Sequence, residues 1–367
     1  MEKKALDSSK RLAIPDDLIR TLAIVLVILL HASNEILQAS SVPLTYWWTA
    51  VVYKSLALSC VPLFVLLSGA LLLQPAKLNE PIRVFLRKRL SRIGLAFGFW
   101  TGVYLAWSFY VGIPVGTVVL HVPVTLGNIG QGLLKSLFTG AYYQFWFIYL
   151  IVGLYLITPI LRVVIAYGNL RVVRYLILLW FLGVAIVPLI ELAVGTTLNS
   201  GVFVIGGFVG FFVLGSYIQR VKLRSAILYS LLIGSVVFTI FGIWLMTYPL
   251  SSLGQSSYFF GYLTVNVIVA SVALFMILLK FRPDWPGTNH ITTSRVAQAI
   301  SKNTLPIFLF HVIILESFER GFFGFTLAFT TLNPIIEIPL ITVLTFFITL
   351  GLVLLMRKVP ILKKLIG

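Results

Sequence analysis

Apolar stretches of about 20 residues recur from one end of the chain to the other, and each is long enough to cross a hydrocarbon core of roughly 30 Å as a helix. Such stretches fall at approximately 16–37, 48–74, 90–111, 144–166, 172–194, 203–219, 226–247, 259–280, 303–320 and 334–356. Lipid offers backbone N–H and C=O groups no partner, so these runs predict helices, and the strand-length alternation of a membrane barrel is absent. The pattern predicts an all-α, polytopic transmembrane helical bundle of about ten spans. It forms a single membrane-embedded domain over 1–367, with no soluble accessory domain and no internal repeat. The basic start followed by an apolar run has the layout of a signal peptide. That run is long, carries His31 and Glu35, and is followed by further spans, which predicts a retained first helix. Between spans, "NIGQGLLKSLF" predicts a short helix capped by Asn128, with Ile129, Leu133, Leu134 and Leu137 on one side. It reads either as an interfacial helix or as a lid over an outward-facing acceptor site.

Composition narrows the class. A chain that is 59% hydrophobic and 11% charged, with a mean hydropathy of +1.02, is no soluble globular domain. A net charge of +17 raises nucleic acid as a partner, and the placement of the charges argues against it. With the N-terminus inside, the tails and inner loops hold 24 of the 28 basic residues; Lys135 and Arg320 fall outside, while Arg20 and Lys54 sit within spans. Positive residues favour the cytoplasmic side, so both termini are expected there, in a multi-pass protein of the plasma (inner) membrane that contacts lipid and no nucleic acid. The one cysteine, Cys60, lies in an apolar run, so there is no disulfide framework, and His31, His121, His290 and His311 show no metal-ligand spacing.

The informative residues are those a lipid-crossing helix avoids. In "DLIRTLAIVLVILLHASNEI", Arg20 and His31 are close to three helical turns apart and share a face, about 16 Å from one another along the axis. Asp17 lies one turn before Arg20 and Glu35 one turn beyond His31, so one polar stripe runs from the inner edge toward the outer one. Buried ionisable groups face a bundle interior or a water-filled cavity. Arg20 reads either as a snorkelling partner of Asp17 or as a ligand-facing cation. "SKNTLPIFLFHVIILESFERG" places His311 near mid-membrane and Glu316 about 140° around the helix from it, so the two do not share a face. Arg87, Arg89 and Arg92 belong to the densest basic loop. That loop is either a lipid-headgroup patch or, with Arg89 and Arg92 facing one way, a clamp for an anion's phosphates. Ser68-Gly69 admits either a neighbouring helix or a ligand, and Trp146 fits an aromatic belt. Gln144, beside it, is not explained by such a belt.

In the order Asp17, Arg20-x10-His31, Ser68-Gly69, the Arg89/Arg92 cluster, "YQFWF" and "SKNTLPIFLFH", the chain resembles the acyltransferase-3 family of integral-membrane O-acyltransferases along essentially its whole length. It departs from the family's pattern at Phe145, where Leu is usual, and Glu35 and Glu316 are not carried over from it. The resemblance implies transfer of an acyl group, acetyl foremost, from cytoplasmic acyl-CoA to a hydroxyl of an extracytoplasmic carbohydrate or lipid-linked sugar. On that footing Arg20, Arg87, Arg89, Arg92, Ser68 and Gly69 bind the donor. Asp17, Gln144 and Trp146 lie along the substrate path. His31 is a general base or acyl carrier, with Glu35 or Glu316 orienting an imidazole and His311 a second catalytic candidate. No tightly bound cofactor or metal is expected, acetyl-CoA being a donor substrate, and a homo-oligomer remains open. The competing readings are a transporter or flippase using the stripe as a proton relay, and a non-catalytic partner in envelope-polysaccharide assembly.

Overall fold

The computed structural model describes residues 15–112, 126–195, 206–251, 256–281 and 290–367. Lys3, Lys4, Lys10, Arg11, His121 and Arg282 lie outside these residues, as do the side chains of Asn128, Ile129, Leu133, His290 and Arg295. All regular structure among the described residues is helical. The helices are α1 (Asp16–Gln38), α2 (Leu44–Ala57), α3 (Cys60–Leu72), α4 (Ile82–Val111), α5 (Leu126–Thr139), α6 (Trp146–Tyr167), α7 (Leu170–Phe181) and α8 (Val187–Val194). They continue with α9 (Val209–Ile218), α10 (Ser225–Thr247), α11 (Val265–Lys280), α12 (His290–Lys302), α13 (Thr304–Glu319), α14 (Pro334–Met356) and the short α15 (Pro360–Leu365).

Seven helical segments among the described residues are long and apolar enough to span a membrane: Asp16–Gln38, Leu44–Leu72, Tyr143–Tyr167, Leu170–Val194, Ser225–Thr247, Ser257–Lys280 and Pro334–Met356. An eighth is added if the bent pair Val296–Lys302 and Thr304–Glu319 counts as one. The stretch expected at 90–111 is the C-terminal part of the 30-residue α4, whose first turns carry the basic cluster. The expected cap at Asn128 is corrected, because α5 is already helical there.

The first helix lies at the centre. α1 packs against α2, α3, α12, α13 and α14, and its apolar residues are shared between two cores. Ile19, Ile24, Val27 and Ile28 enter the main one; Ala32 and Ile36 join Ile314, Phe318, Ile338 and Ile341 in the other. With neighbours on so many sides, its polar residues meet protein or cavity rather than lipid.

Two local features shape the surroundings. α3 and α9 run backbone to backbone: a Cβ on Gly69 would stand 1.8 Å from the Phe212 carbonyl oxygen, and one on Gly215 would stand 2.0 Å from that of Leu66. This is the close approach that small residues permit in membrane helices. The second is the 78° bend between α12 and α13. There the Asn303 side-chain amide donates to the Ala299 carbonyl at 2.6 Å, taking the acceptor its own backbone N–H would use in a continuing helix. That N–H turns to Ile300 instead, at 2.9 Å. A side chain has displaced the helix ladder, and α13 sets off in a new direction.

Candidate active site

The bend aims α13 so that His311 meets His31 of α1, with ring centroids 5.3 Å apart. His311 is fully buried, and its Nδ1 lies 2.7 Å from the Phe308 carbonyl oxygen. A carbonyl only accepts, so Nδ1 carries the proton and the neutral ring keeps its lone pair on Nε2. That Nε2 is buried with no hydrogen-bond partner. His31 retains some exposure, and its ring also meets that of Tyr143 at 5.1 Å. Of the two imidazoles, His31 is the less buried.

Tyr143 and Gln144 enter the site from a single 3-10 turn, Tyr143–Phe145, ahead of α6. The chain enters this turn through Gly140, at φ +90, where a Cβ would also press the Phe145 side chain at 3.1 Å. Phe145 is fully buried among Tyr104 and Phe97. Gln144 is 1% exposed, and neither atom of its amide makes a hydrogen bond of good geometry. The adjacent Tyr104 hydroxyl donates to the Leu309 carbonyl at 2.6 Å, and its oxygen is in no more than loose reach of the Gln144 amide. A buried amide with both ends unpaired carries an appreciable free-energy cost, which a ligand would relieve. His31, Gln144 and Trp146 line one small cavity together with Cys60 and Tyr262, and Trp146 stacks on Tyr262 at 5.8 Å.

The carboxylates differ from expectation. Glu316 accepts hydrogen bonds from Trp107 Nε1 at 2.8 Å and the Tyr142 hydroxyl at 2.5 Å, with Arg320 Nε at 4.0 Å. Its angular offset from His311 turns it toward α4 and the Tyr142 loop, so it reaches neither imidazole. Its link to the site is indirect: it fixes Tyr142, whose ring meets Tyr143 at 5.1 Å, and Tyr143 meets His31. Glu35 also makes no hydrogen bond to an imidazole; it lies within charge reach of Glu337 and Glu319. The expected orienting role of a carboxylate on either histidine is therefore corrected. For His311 the Phe308 carbonyl does that work.

At the inner end, Arg20 pairs with Asp16 at 3.7 Å, not with Asp17, both partners being about a third exposed (35% and 39%). Asp17 instead offers its backbone carbonyl to the Thr21 hydroxyl at 2.7 Å. The expected common face of Arg89 and Arg92 is also corrected. Arg89 turns over the Tyr155 ring at 5.9 Å with its Nε buried and unpaired, whereas Arg92 and Arg87 are exposed and Arg92 feels the charge of Arg357. Long side chains three residues apart diverge when one finds an aromatic face. Gly69 is corrected as a donor contact as well, because the α9 backbone fills the space a ligand would need, while Ser68, beside it, stays half-buried.

Arg162 was legible only as a cytoplasmic charge. It is 4% exposed, donates from Nε to the Leu72 carbonyl at 2.9 Å, pairs with Glu80 at 2.9 Å and stacks 4.5 Å over Phe85. It ties α6 to the end of α3 and to the basic loop. Burial, and after it the charges of Arg89 and Arg162, hold the nearby Lys77 ammonium below the ordinary lysine range. Positive charge is crowded here enough to oppose itself, a condition that a bound anion relieves. Lys54, which the sequence placed within a span, donates to Asn34 at 2.8 Å, and Glu337, which sequence reasoning missed, is wholly buried with both oxygens unpaired. Among the described residues no His, Cys, Asp or Glu cluster is arranged to hold a metal ion.

A bundle of apolar helices that encloses an imidazole pair and a buried amide is a multi-pass membrane protein with a polar centre. The chain belongs to the acyltransferase-3 family: the acyltransferase domain that defines it matches residues 17–354, nearly the whole sequence. No curated protein and no solved structure matches the chain.

Proposed function

We propose that this chain is a membrane-bound O-acyltransferase that moves an acyl group, acetyl foremost, from cytoplasmic acyl-CoA to a hydroxyl of an extracytoplasmic cell-surface carbohydrate or lipid-linked sugar. It sits in the inner (plasma) membrane as about ten spans with both termini cytoplasmic. The observation that carries the reading is the pairing of His31 with His311 beside Gln144, a site with unspent hydrogen-bonding capacity on both sides. Family membership supports it independently.

In this mechanism the His31 imidazole takes the proton of the acceptor hydroxyl as its oxygen attacks the thioester carbonyl. The Gln144 amide N–H meets the oxyanion that develops, and a donor already in place there costs no reorganisation at the moment of reaction. Collapse of the tetrahedral intermediate breaks the C–S bond, and the departing thiolate of coenzyme A takes up the proton that His31 holds. His311, its tautomer set by Phe308, keeps a buried and unpaired Nε2 beside the His31 ring and gives that ring a packed neighbour. Arg89, Lys77 and Arg20 attract the donor's phosphates at the inner mouth.

The test is chemical analysis of envelope carbohydrate from cells with and without the gene, and with His31→Ala. Acyl esters that appear only with the wild type support the reading, and unchanged esterification in all three overturns it.

A further inference from the structure

At the end of the bundle opposite Arg20, which the proposed orientation makes the outer one, three helices each begin or end on a carboxylate. Glu35 lies in the last turn of α1, Glu319 closes α13, and Glu337 lies in the first turn of α14. Each is within charge reach of the other two. Glu337 is wholly buried with both carboxylate oxygens unpaired, and Glu35 keeps one buried oxygen unpaired. The nearby cations are committed elsewhere: Lys54 donates to Asn34, while Arg320 pairs with Glu316 at 4.0 Å and reaches Glu319 by charge alone. Packing gives no reason for this arrangement. Two of the carboxylates stand at helix C-termini, where the helix dipole disfavours negative charge, and a buried acceptor left without a donor is costly.

An ionised carboxylate only accepts hydrogen bonds, so the missing partner is a donor. A metal ion does not fill that place, since among the described residues no such cluster is arranged to hold one. On α1 the cluster begins one turn beyond His31, about 6 Å along the axis. Tyr143 joins the two: its ring meets His31 at 5.1 Å, it lies within charge reach of Glu319, and it is half-exposed. A sugar offers both matching features, hydroxyl donors around its edge and a C–H face that packs on an aromatic ring. We propose that Glu35, Glu319 and Glu337, with the Tyr143 ring, form the acceptor subsite, which holds the hydroxyl groups of a neutral sugar and turns away acidic ones. The inference rests on the acyl-transfer reading and adds to it where the acceptor sits and which class of sugar it is. A neutral sugar supplies charge-assisted hydrogen bonds, whereas a uronic acid sets a like charge against the cluster.

The experiment uses purified protein in detergent and three probes, the methyl glycosides of glucose, N-acetylglucosamine and glucuronic acid. Thermal unfolding with and without each glycoside reads binding, and kinetics with acetyl-CoA read transfer. The variants are Glu337→Met, Glu337→Gln and Glu35→Gln. In the wild type a neutral glycoside is expected to raise the unfolding midpoint, and kcat/KM to favour the neutral glycosides over the glucuronide by about tenfold or more. Glu337→Met is expected to unfold no earlier than the wild type, because no partner loses a bond. Its KM for the neutral acceptor is expected to rise about tenfold, with the KM for acetyl-CoA unmoved. The glutamine variants keep the shape, remove a charge and are expected to narrow the neutral-to-acidic preference. A Glu337→Met that unfolds earlier gives the carboxylate a structural role and overturns the subsite. So do an unmoved acceptor KM, a wild type that binds no neutral glycoside, and one that takes the glucuronide as readily. Neutral glycosides that bind through Glu337 without receiving an acyl group leave the subsite standing and remove the acyl-transfer reading instead.

Discussion

The charged and polar residues in and around the bundle divide into two kinds. Arg20 and Glu316 have found partners, whereas Gln144, the Nε2 of His311 and Glu337 are buried with hydrogen-bonding capacity unspent. Unspent capacity marks where a ligand belongs, and it separates Gln144 from the aromatic residues around it. Gln144→Met keeps the volume and removes the N–H donor; its kcat for acyl transfer is expected to fall by about 10²–10³-fold with little change in KM, as read by steady-state kinetics. A raised KM with kcat unchanged would instead make Gln144 a ground-state binding residue. His31, His311 and Gln144 were legible as polar letters in apolar words. The partners of Glu316, on α4 and before α6, were not, because they come from 174 and 209 residues away and no local spacing encodes them.

Helix identity was equally legible from apolar runs, and helix direction was not. The "SKNT" segment reads as the start of one span, yet Asn303 breaks the ladder there and swings α13 by 78° so that His311 reaches α1. Ser68-Gly69 was readable only as a choice between a ligand and a helix, and the α9 backbone resolves it for Gly69. Gly69→Ala sets a methyl against the Phe212 backbone, which has no rotamer with which to yield. The variant is expected to lose about 1–3 kcal/mol of stability, measured by unfolding in detergent, and an unchanged midpoint would contradict the close α3–α9 contact. The Arg162 strut belongs to the same scale. Arg162→Ala leaves Glu80 and the Leu72 carbonyl without their partner, and is expected to cost about 1–3 kcal/mol and to raise the KM for acyl-CoA, because the basic loop loses its tie to α6. A stable variant with an unaltered KM would separate that loop from donor binding.

Across the whole molecule, the basic loops and the outer aromatic and acidic groups lie at opposite ends of α1, with the imidazole pair between them. In the proposed function this polarity puts a charged donor on one side of a membrane and an acceptor on the other. The charge distribution that argues for it was readable in the sequence from the placement of lysine and arginine alone. Single cysteines placed at Lys77 and at the exposed Phe323, in a Cys60→Ala background, are expected to react with an impermeant thiol reagent from opposite sides of sealed vesicles. Labelling of both from one side would contradict the orientation.

The most direct test of the central claim is acyl transfer across a membrane by the protein alone. Proteoliposomes holding wild type or His31→Ala, matched for amount and fold, would receive radiolabelled acetyl-CoA on the Lys77 side and carry a glycolipid acceptor. The account predicts label on acceptor hydroxyls exposed on the opposite side with the wild type, and a loss of about 10²–10⁴-fold with His31→Ala. Transfer at the wild-type rate by His31→Ala would contradict it.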